Sequence, residues 1–353
     1  MKISHDIKRQ TPFSKTIKRW FSQRSPSRFA VNRFQWHWYP RFFISRNYPL
    51  HLDIEISSLC QLHCPMCFRE HRVIPNQNNM KWETFRKIID EAEGRVYSLK
   101  FTGRGEPLIN PRFPKFMAYL KGKRFGEIGM ITNGQLMTEE VMDAILENDL
   151  DFVSFSIDGL KEEYERIRAP IRYEEIHEIV SRLHELRTRR RKKRPLIRIQ
   201  SVDRYVGDGK EFLQIWGPIS DDILFLFFKD YSPTAHNVQM KGYACPYIFQ
   251  RMIVHWDGTV PMCVNDEYET AVRGNILENS LSEIWTGASF QEARQRHIAG
   301  QRDEAYPCCA KCAVNRVGHG RETLAARTVL SAYRLLGRFL RPRVVSALEG
   351  NRR

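Results

Sequence analysis

The sequence predicts an α/β chain: an open, partial (β/α)6 barrel of TIM type followed by a small cysteine-rich domain. Three observations carry that prediction. From about residue 50, six apolar strand-like runs alternate with segments whose apolar residues recur every three or four positions. Several runs end in glycine, serine, aspartate or cysteine, residue types that supply chemistry at strand ends. The eight cysteines fall in two groups: Cys60, Cys64 and Cys67 early, then Cys245, Cys263, Cys308, Cys309 and Cys312 late. Strands alternating with helices pair in parallel and present active residues at their C-terminal ends. Six units instead of eight leave the barrel open.

In chain order, residues 1–47 read as a basic, aromatic N-terminal arm, with Lys18, Arg19, Trp20 and Phe21 followed by Phe34, Trp36, Trp38, Tyr39, Phe42 and Phe43. Such an arm can pack its rings on the core and leave its charges in water. Two other readings stay open: an interfacial membrane anchor and a stacking surface for single-stranded nucleic acid. It is too irregular for a folded peptide-recognition module. Residues 48–235 form the barrel. Its strand runs lie near 52–57, 96–102, 127–132, 151–157, 195–202 and 223–229. The helices between them are marked by Trp82/Phe85/Ile89/Ala92, by 111–121, by 139–148 behind the cap Thr138, by Ile176/Ile179/Val180/Leu183/Leu186, and by 209–216. The cation run Arg189–Arg194 reads as a solvated turn, with a phosphate-binding patch as the sharper alternative. Residues 236–318, rich in turn glycines and late cysteines, form the small domain. Residues 319–353 form a basic amphipathic tail that either lies on a membrane or packs on the barrel.

Charge separates the core from its tails. Residues 1–47 hold 11 Lys/Arg against Asp6 alone, and residues 320–353 hold 8 against Glu322 and Glu349, within a whole-chain net charge of +15. The barrel and small domain are therefore close to neutral, and the tails suit a polyanion or an anionic membrane surface. No apolar run approaches the ~18 residues of a membrane span, and no signal-peptide pattern opens the chain. These features predict a cytoplasmic protein, peripheral at a membrane if the tails bind one. Clustered cysteines in that setting point to metal, not disulfides.

Cys60-x3-Cys64-x2-Cys67 places three thiols after the first strand, one ligand short of the four that usually hold a thiolate-bound cluster. A short spacing of this kind also occurs at zinc sites. The surrounding motifs decide. Phe101-Thr-Gly-Arg-Gly-Glu-Pro107 ends the second strand, Thr132-Asn133-Gly134 the third, and Ser154-Phe-Ser156-Ile-Asp158-Gly159 the fourth. Together they resemble the radical SAM superfamily, with Arg104 replacing the first glycine of its GGEP motif.

The resemblance implies a [4Fe–4S] cluster on Cys60, Cys64 and Cys67, with S-adenosylmethionine (SAM) chelating the open iron. Reductive cleavage would then give methionine and a 5′-deoxyadenosyl radical, with an electron donor such as flavodoxin or ferredoxin. The SAM ammonium would find acceptors at Gly105 and Glu106, its carboxylate or ribose would meet Ser156, and Arg168 would pair the carboxylate. Met66 and Phe68 would cover the adenine, and Asn133 would complete the site. Gly103 and Gly134 can equally be turn-shaping residues, and Asp158 can be only a helix cap.

The late cysteines resemble the SPASM domain in its shortened "twitch" form. Cys245, Cys263 behind Gly258-x4, and Cys309-x2-Cys312 would hold one auxiliary [4Fe–4S] cluster. Cys308 competes with Cys309, and a structural four-cysteine zinc site is the plain alternative. A fully ligated auxiliary cluster suits electron relay. That favours hydrogen abstraction followed by oxidation, and the resemblance implies a sugar, polyol or glycoconjugate as the substrate. A peptide-modifying maturase is the second reading, and a nucleic-acid-binding metalloprotein the third, with nucleic acid the less favoured partner. The catalytic residues are unassigned; Gln200, Asp203 and Lys229 are the strand-end candidates for a base.

Overall fold

The computed structural model describes residues 8–9, 24–74, 76–207, 209–226, 228, 229, 231, 244–310 and 312. The amphipathic tail, much of the arm before Arg24 and Phe227 in the sixth strand run lie outside the described residues.

Alternation along the first strand, β1 (His51–Ile54), sets the plan of the barrel. Leu52, Ile54 and the following Ile56 are fully buried in the apolar core. His51, Asp53 and Glu55 take the opposite face, because successive side chains alternate across a strand. Then come β2 (Ser98–Phe101), β3 (Glu127–Thr132), β4 (Phe152–Ser156), β5 (Leu196–Val202) and β6 (Asp222–Leu226). Each pairs in parallel with the strand before it. The face shared with Asp53 is mixed, carrying polar groups together with Gly129, Ile131 and Phe152. Lys100 stands beside Asp53, and Ser154 and Ser156 stand beside Arg198 and Gln200.

A seventh parallel strand, β7 (Arg251–Val254), lies against β1 on the other side, with Leu52 beside Met252 and Ile54 beside Val254. The six-strand expectation omits it because four residues inside a loop-rich region carry too little pattern. Its Arg251 donates to Asp53 (2.9 Å), which also takes Lys100 at 3.2 Å. Burial alone would raise the Asp53 carboxyl, yet Arg251 and Lys100 hold it well below the usual range. The sheet order is β6-β5-β4-β3-β2-β1-β7, with residues 8–9 antiparallel to β6. Among the described residues its two ends do not pair, which leaves the barrel open.

Helices cover the apolar face at the predicted places. The expected five are Trp82–Ala92, Phe113–Leu120, Glu139–Glu147, Tyr173–Arg189 and Lys210–Trp216. Thr138 caps the third of these by accepting from Val141 N–H at 3.3 Å, a contact of the kind worth about 1 kcal/mol. The first two pack through Phe85 and Phe116, whose rings stack at 4.0 Å and 8°. One helix, Lys161–Arg168, was not predicted; its charged sequence buries only Tyr164 and Ile167.

The arm is more regular than expected. Pro26–Trp38, labelled α1, is a helix with Ser25 at its N-cap and Pro26 at its first turn, a start signal present in the sequence. Arg24 pairs with Asp151 at 2.9 Å, and Gln250 donates to the Trp36 carbonyl at 2.6 Å. The arm thus packs on the barrel. The cation run is an exposed turn in which three of the six cations are paired, Arg190 on Asp143, Lys192 on Asp149 and Arg194 on Asp151.

Beyond β7 a hairpin (Thr259–Pro261 and Val272–Asn275) and short helices form the cysteine-rich region. Gly258 turns the chain into that hairpin at φ +90°, a backbone region open to glycine. Ser280 and Glu283 make a reciprocal capping box ahead of buried Trp285.

Phe85→Ala would empty the space between Phe101 and Phe116. A loss of about 3–5 kcal/mol is expected, read as a lower urea midpoint by far-UV circular dichroism; an unchanged midpoint would refute the packing described.

Candidate functional site

The cysteine loop hangs from the C-terminal end of β1 and is held by its neighbours' backbone. Ser58 exchanges hydrogen bonds with Asn78, donating through N–H (3.0 Å) and accepting from Asn78 N–H through Oγ (2.9 Å). Asn110 donates to the Ile56 carbonyl at 2.7 Å, and Arg69 to the Ser58 carbonyl at 2.6 Å. Glu106 N–H donates to the Leu59 carbonyl at 2.7 Å, which presses the turn after β2 onto the loop. A Cβ on Gly105 would stand 2.3 Å from that carbonyl, and one on Gly103 would stand 2.6 Å from the Glu55 side chain. Glycine at both positions is therefore a packing requirement.

Arg104 between them does something else. Its N–H, Nε and Nη2 donate to Glu55 at 2.7, 2.9 and 2.8 Å, and its Nη1 reaches Glu269 at 2.7 Å. Glu269 in turn meets His255 Nδ1 at 2.7 Å. The first strand, the GRGEP turn and the cysteine-rich region are joined by one buried guanidinium.

Cys64 is buried, and Cys60 and Cys67 are half-buried. Burial raises all three thiols, Cys67 to about 11, while the Arg168 guanidinium partly offsets the rise at Cys64. Thiols so placed need a cation to become thiolates, which a metal centre supplies. Among the described residues no three His, Cys, Asp or Glu converge closely enough to grip a single ion. Three thiols, one ligand short of four, would suit a cluster that leaves one iron open.

The other predicted residues gather at the same strand ends. Glu106 is buried; it accepts from Thr132 Oγ1 (2.6 Å), Asn133 N–H (2.7 Å) and Leu108 N–H (3.1 Å), although burial still raises its pKa. It ties β2 to β3 as well as facing the loop. Asn133 Oδ1 accepts from Gln61 Nε2 at 3.2 Å, yet Asn133 Nδ2 and Gln61 Oε1 are buried without a protein partner. Those two orphaned atoms beside the thiols fit a polar ligand. Ser156 Oγ accepts from Gln200, which also receives Ser154 Oγ–H at 3.0 Å. Arg168 grips Asp158 and leaves Nη1 3.7 Å from Cys64 Sγ. Asp158 accepts from Val202 N–H (2.6 Å), so it joins β4 to β5 and does not cap a helix. Met66 packs against the main core. Phe68 faces the later domain, with its ring 5.7 Å from Tyr231 and 6.0 Å from Tyr268.

Sequence reasoning passed over four residues here. Glu55 and Gln61 were within reach of the period-two pattern and the loop itself. Glu267 and Tyr231 had no local signal. Glu267 is 9% exposed and accepts from Tyr231 Oη at 3.1 Å, while Lys229, beside it, donates to Asn265 at 3.0 Å. Burial raises the Glu267 carboxyl, with Lys229 pulling the other way. Tyr231 lies within electrostatic reach of both Cys67 and Cys312, so this group stands between the two cysteine sets.

In the later set, burial raises Cys263 well above a free thiol, and its neighbouring thiols are Cys308, Cys312 and Cys245 in order of influence. Burial also lifts Cys245 to about 12. Cys309 lies directly beside Cys308, with Cys263 and Cys245 also within electrostatic reach. It lies in a second apolar cluster with Ile248, Phe249 and Met262, against which Cys308 also packs, and its Sγ meets His297 Nε2 at 3.7 Å. Burial holds His297 down to about 3. Cys308, the alternative to Cys309 in the sequence, lies beside Cys263 as well, so either of the adjacent thiols can complete the set.

Comparisons with known proteins agree with this geometry. Residues 54–206 match the Radical SAM superfamily, and residues 245–313 match SPASM, an iron-sulfur cluster-binding domain. The chain is 27% identical to the tungsten-containing aldehyde ferredoxin oxidoreductase cofactor-modifying protein of Pyrococcus furiosus, covering 75% of this chain and 87% of that one. It is 29% identical to a PqqA peptide cyclase of Granulibacter bethesdensis, over 34% of this chain and 32% of that one. Its fold resembles the crystal structure of BtrN in complex with AdoMet and 2-DOIA, with a TM-score of 0.55 and 16% identity over 79% of this chain and 98% of that one. The two domains imply [4Fe–4S] clusters and SAM.

Iron analysis of the reconstituted protein separates the two adjacent cysteines. Cys309→Ala, which removes the x2 interval to Cys312, is expected to fall from about eight irons to about four, with Cys308→Ala near eight; the reverse result would give the ligand role to Cys308.

Proposed function

Because the chain belongs to the radical SAM superfamily and carries a C-terminal SPASM domain, we propose that it dehydrogenates an alcohol carbon of a sugar, polyol or glycoconjugate. The observation that carries this reading is the Glu267–Tyr231–Lys229 group between the two cysteine sets. Cys60, Cys64 and Cys67 would hold the first cluster, and Cys245, Cys263 and Cys312 with Cys308 or Cys309 the second. When bound, these groups and SAM supply a carbon-centred radical that removes a hydrogen atom and an acceptor for one further electron.

The chain's own residues do the rest. Asn133 and Gln61 offer their orphaned amide atoms to SAM, Gly105 allows close backbone approach, and Arg168 keeps a positive charge beside Cys64. Ser156 stands at the same strand ends, Met66 packs on the core beside the loop, and Phe68 faces the later domain. The substrate loses a hydrogen atom from carbon, then one proton and one electron, and the C–OH becomes C=O. Glu267 receives that proton, Tyr231 holds the carboxylate in place, and Lys229 offers a hydroxyl-binding cation. Lys100, Arg198 and Gln200 on the lumen face suit a hydroxylated substrate. A flavodoxin or ferredoxin would return the electron that SAM cleavage consumes.

A peptide substrate is the second reading, favoured by the likeness to PqqA peptide cyclase. Deuterium tracing decides between them. Polyols and sugars deuterated at secondary carbinol carbons are expected to pass label into 5′-deoxyadenosine. Label arriving only from peptides would overturn the alcohol reading.

Glu267→Gln is expected to keep both clusters and SAM cleavage while lowering ketone formation about 100-fold or more. The wild-type rate should rise with pH through the raised pKa of Glu267, and that slope should vanish in the variant. Stability moves the opposite way. A carboxyl whose folded pKa is raised is fully tolerated below its unfolded value and destabilises as pH climbs through the folded value. The Gln variant should therefore gain stability relative to wild type on that climb, measured by thermal melts across pH.

A further inference from the structure

We propose that α1 and the strand-entry side of the barrel form a docking surface for anionic phospholipid, with a pocket for the headgroup beneath the helix. This rests on features apart from the proposed reaction.

A cavity of about 770 Å3 opens between α1, residues 46–50 ahead of β1 and residues 94–97 ahead of β2. Arg28, Arg46 and Arg95 line it, and no aspartate or glutamate does. Arg95 is braced over the Tyr48 ring at 5.4 Å and donates to the Glu91 carbonyl; Arg46 reaches Gln35 at 3.4 Å. These are neutral partners, which orient the guanidiniums without cancelling their charge. Two of the lining residues, Asn32 and Tyr97, also carry a buried polar atom without a partner, Nδ2 and Oη, and Asn32 is only 5% exposed. A folded chain rarely buries such donors idle. Three cations and two unused donors around a half-open cavity match a phosphate-bearing group.

The rim of that cavity says where the phosphate comes from. Among the described residues, eight large hydrophobic side chains are exposed, and five of them (Val31, Phe34, Phe42, Phe43 and Ile44) fall within fourteen consecutive positions of the arm. The same stretch holds Trp36, Trp38 and Tyr39, and residues 24–47 contain five arginines and no acid. Aromatic rings and aliphatic tips interleaved with arginine fit the headgroup boundary of a bilayer. A nucleic-acid surface has no use for exposed Val31 and Ile44. The surface lies at the end of the strands opposite the cysteine loop, so docking there leaves the strand ends that carry the site unobstructed.

The test is co-sedimentation of the full, cluster-loaded chain with phosphatidylcholine vesicles, with and without phosphatidylglycerol. The two forms of vesicle are expected to differ in binding by about tenfold or more, since each arginine near an anionic surface adds attraction. Arg46→Glu should remove most of that preference, and Phe34→Glu, at a 60% exposed position, should weaken binding to the anionic vesicles. Iron content and SAM cleavage should be unchanged in both. Equal binding to the two vesicle types, or anionic binding that neither variant affects, would overturn the proposal; the second result would assign the attraction to the other basic segments. Displacement by inorganic phosphate alone would make the cavity a free-phosphate site, and displacement by a single-stranded oligonucleotide would make the surface a nucleic-acid one. Either would overturn it.

Discussion

Everything at the site depends on one close approach, that of the GRGEP turn to the cysteine loop. Gly105 lies against the Leu59 and Ser58 backbone, and Glu106 N–H closes the contact. A loop bearing three half-desolvated thiols has little packing of its own. It is fixed because the turn beside it presents backbone, not side chain, and because Glu106 carries the constraint on to Thr132 and Asn133 at the next strand end. The carboxylate that faces the loop is thus also the bolt between β2 and β3.

Arg104 extends that constraint into the later domain. A buried ion pair is weak evidence for stability, since desolvation can consume its attraction, but removing one partner typically costs about 3–5 kcal/mol. Glu55, Arg104, Glu269 and His255 therefore act mainly as a register device. They allow one relation between β1, the turn and the cysteine-rich region, and they penalise others. The pair Asp53–Arg251 repeats the device one step along the same strand face. A barrel whose lumen carries such polar groups gains this: its strands can be positioned by directional bonds instead of by shape alone.

Much of this was legible in the sequence. The six strand runs, five helices and the cysteine spacing follow from short-range patterns, and Thr138 was readable as a cap. What escaped depends on pairs distant in sequence. β7 is recognisable only once β1 is there to pair with it, and Asp53, inside an apolar-looking run, declares a charged cluster in the lumen only when Lys100 and Arg251 arrive. Asp158 looked like a cap because a helix follows it, yet it is drawn across to Val202 on the neighbouring strand. The start of α1 was spelled out by Ser25-Pro26, but dense aromatics and cations obscured its period. Glu267 and Tyr231 had no pattern at all, since their significance is position between two cysteine sets.

The adjacent cysteines show how spacing and packing can disagree. Counting residues favours Cys309, which makes the x2 interval to Cys312. Packing separates the two less than spacing does. A four-residue turn of helix, Pro307–Ala310, starts neighbouring side chains about 100° apart, yet the two thiols lie side by side and Cys263 is within electrostatic reach of both. Both also touch one apolar cluster. They differ in depth: Cys309 is buried beside a His297 that burial keeps neutral, while Cys308 is half-buried. A thiolate at Cys309 therefore costs more desolvation, and the x2 interval that favours it has to outweigh that cost.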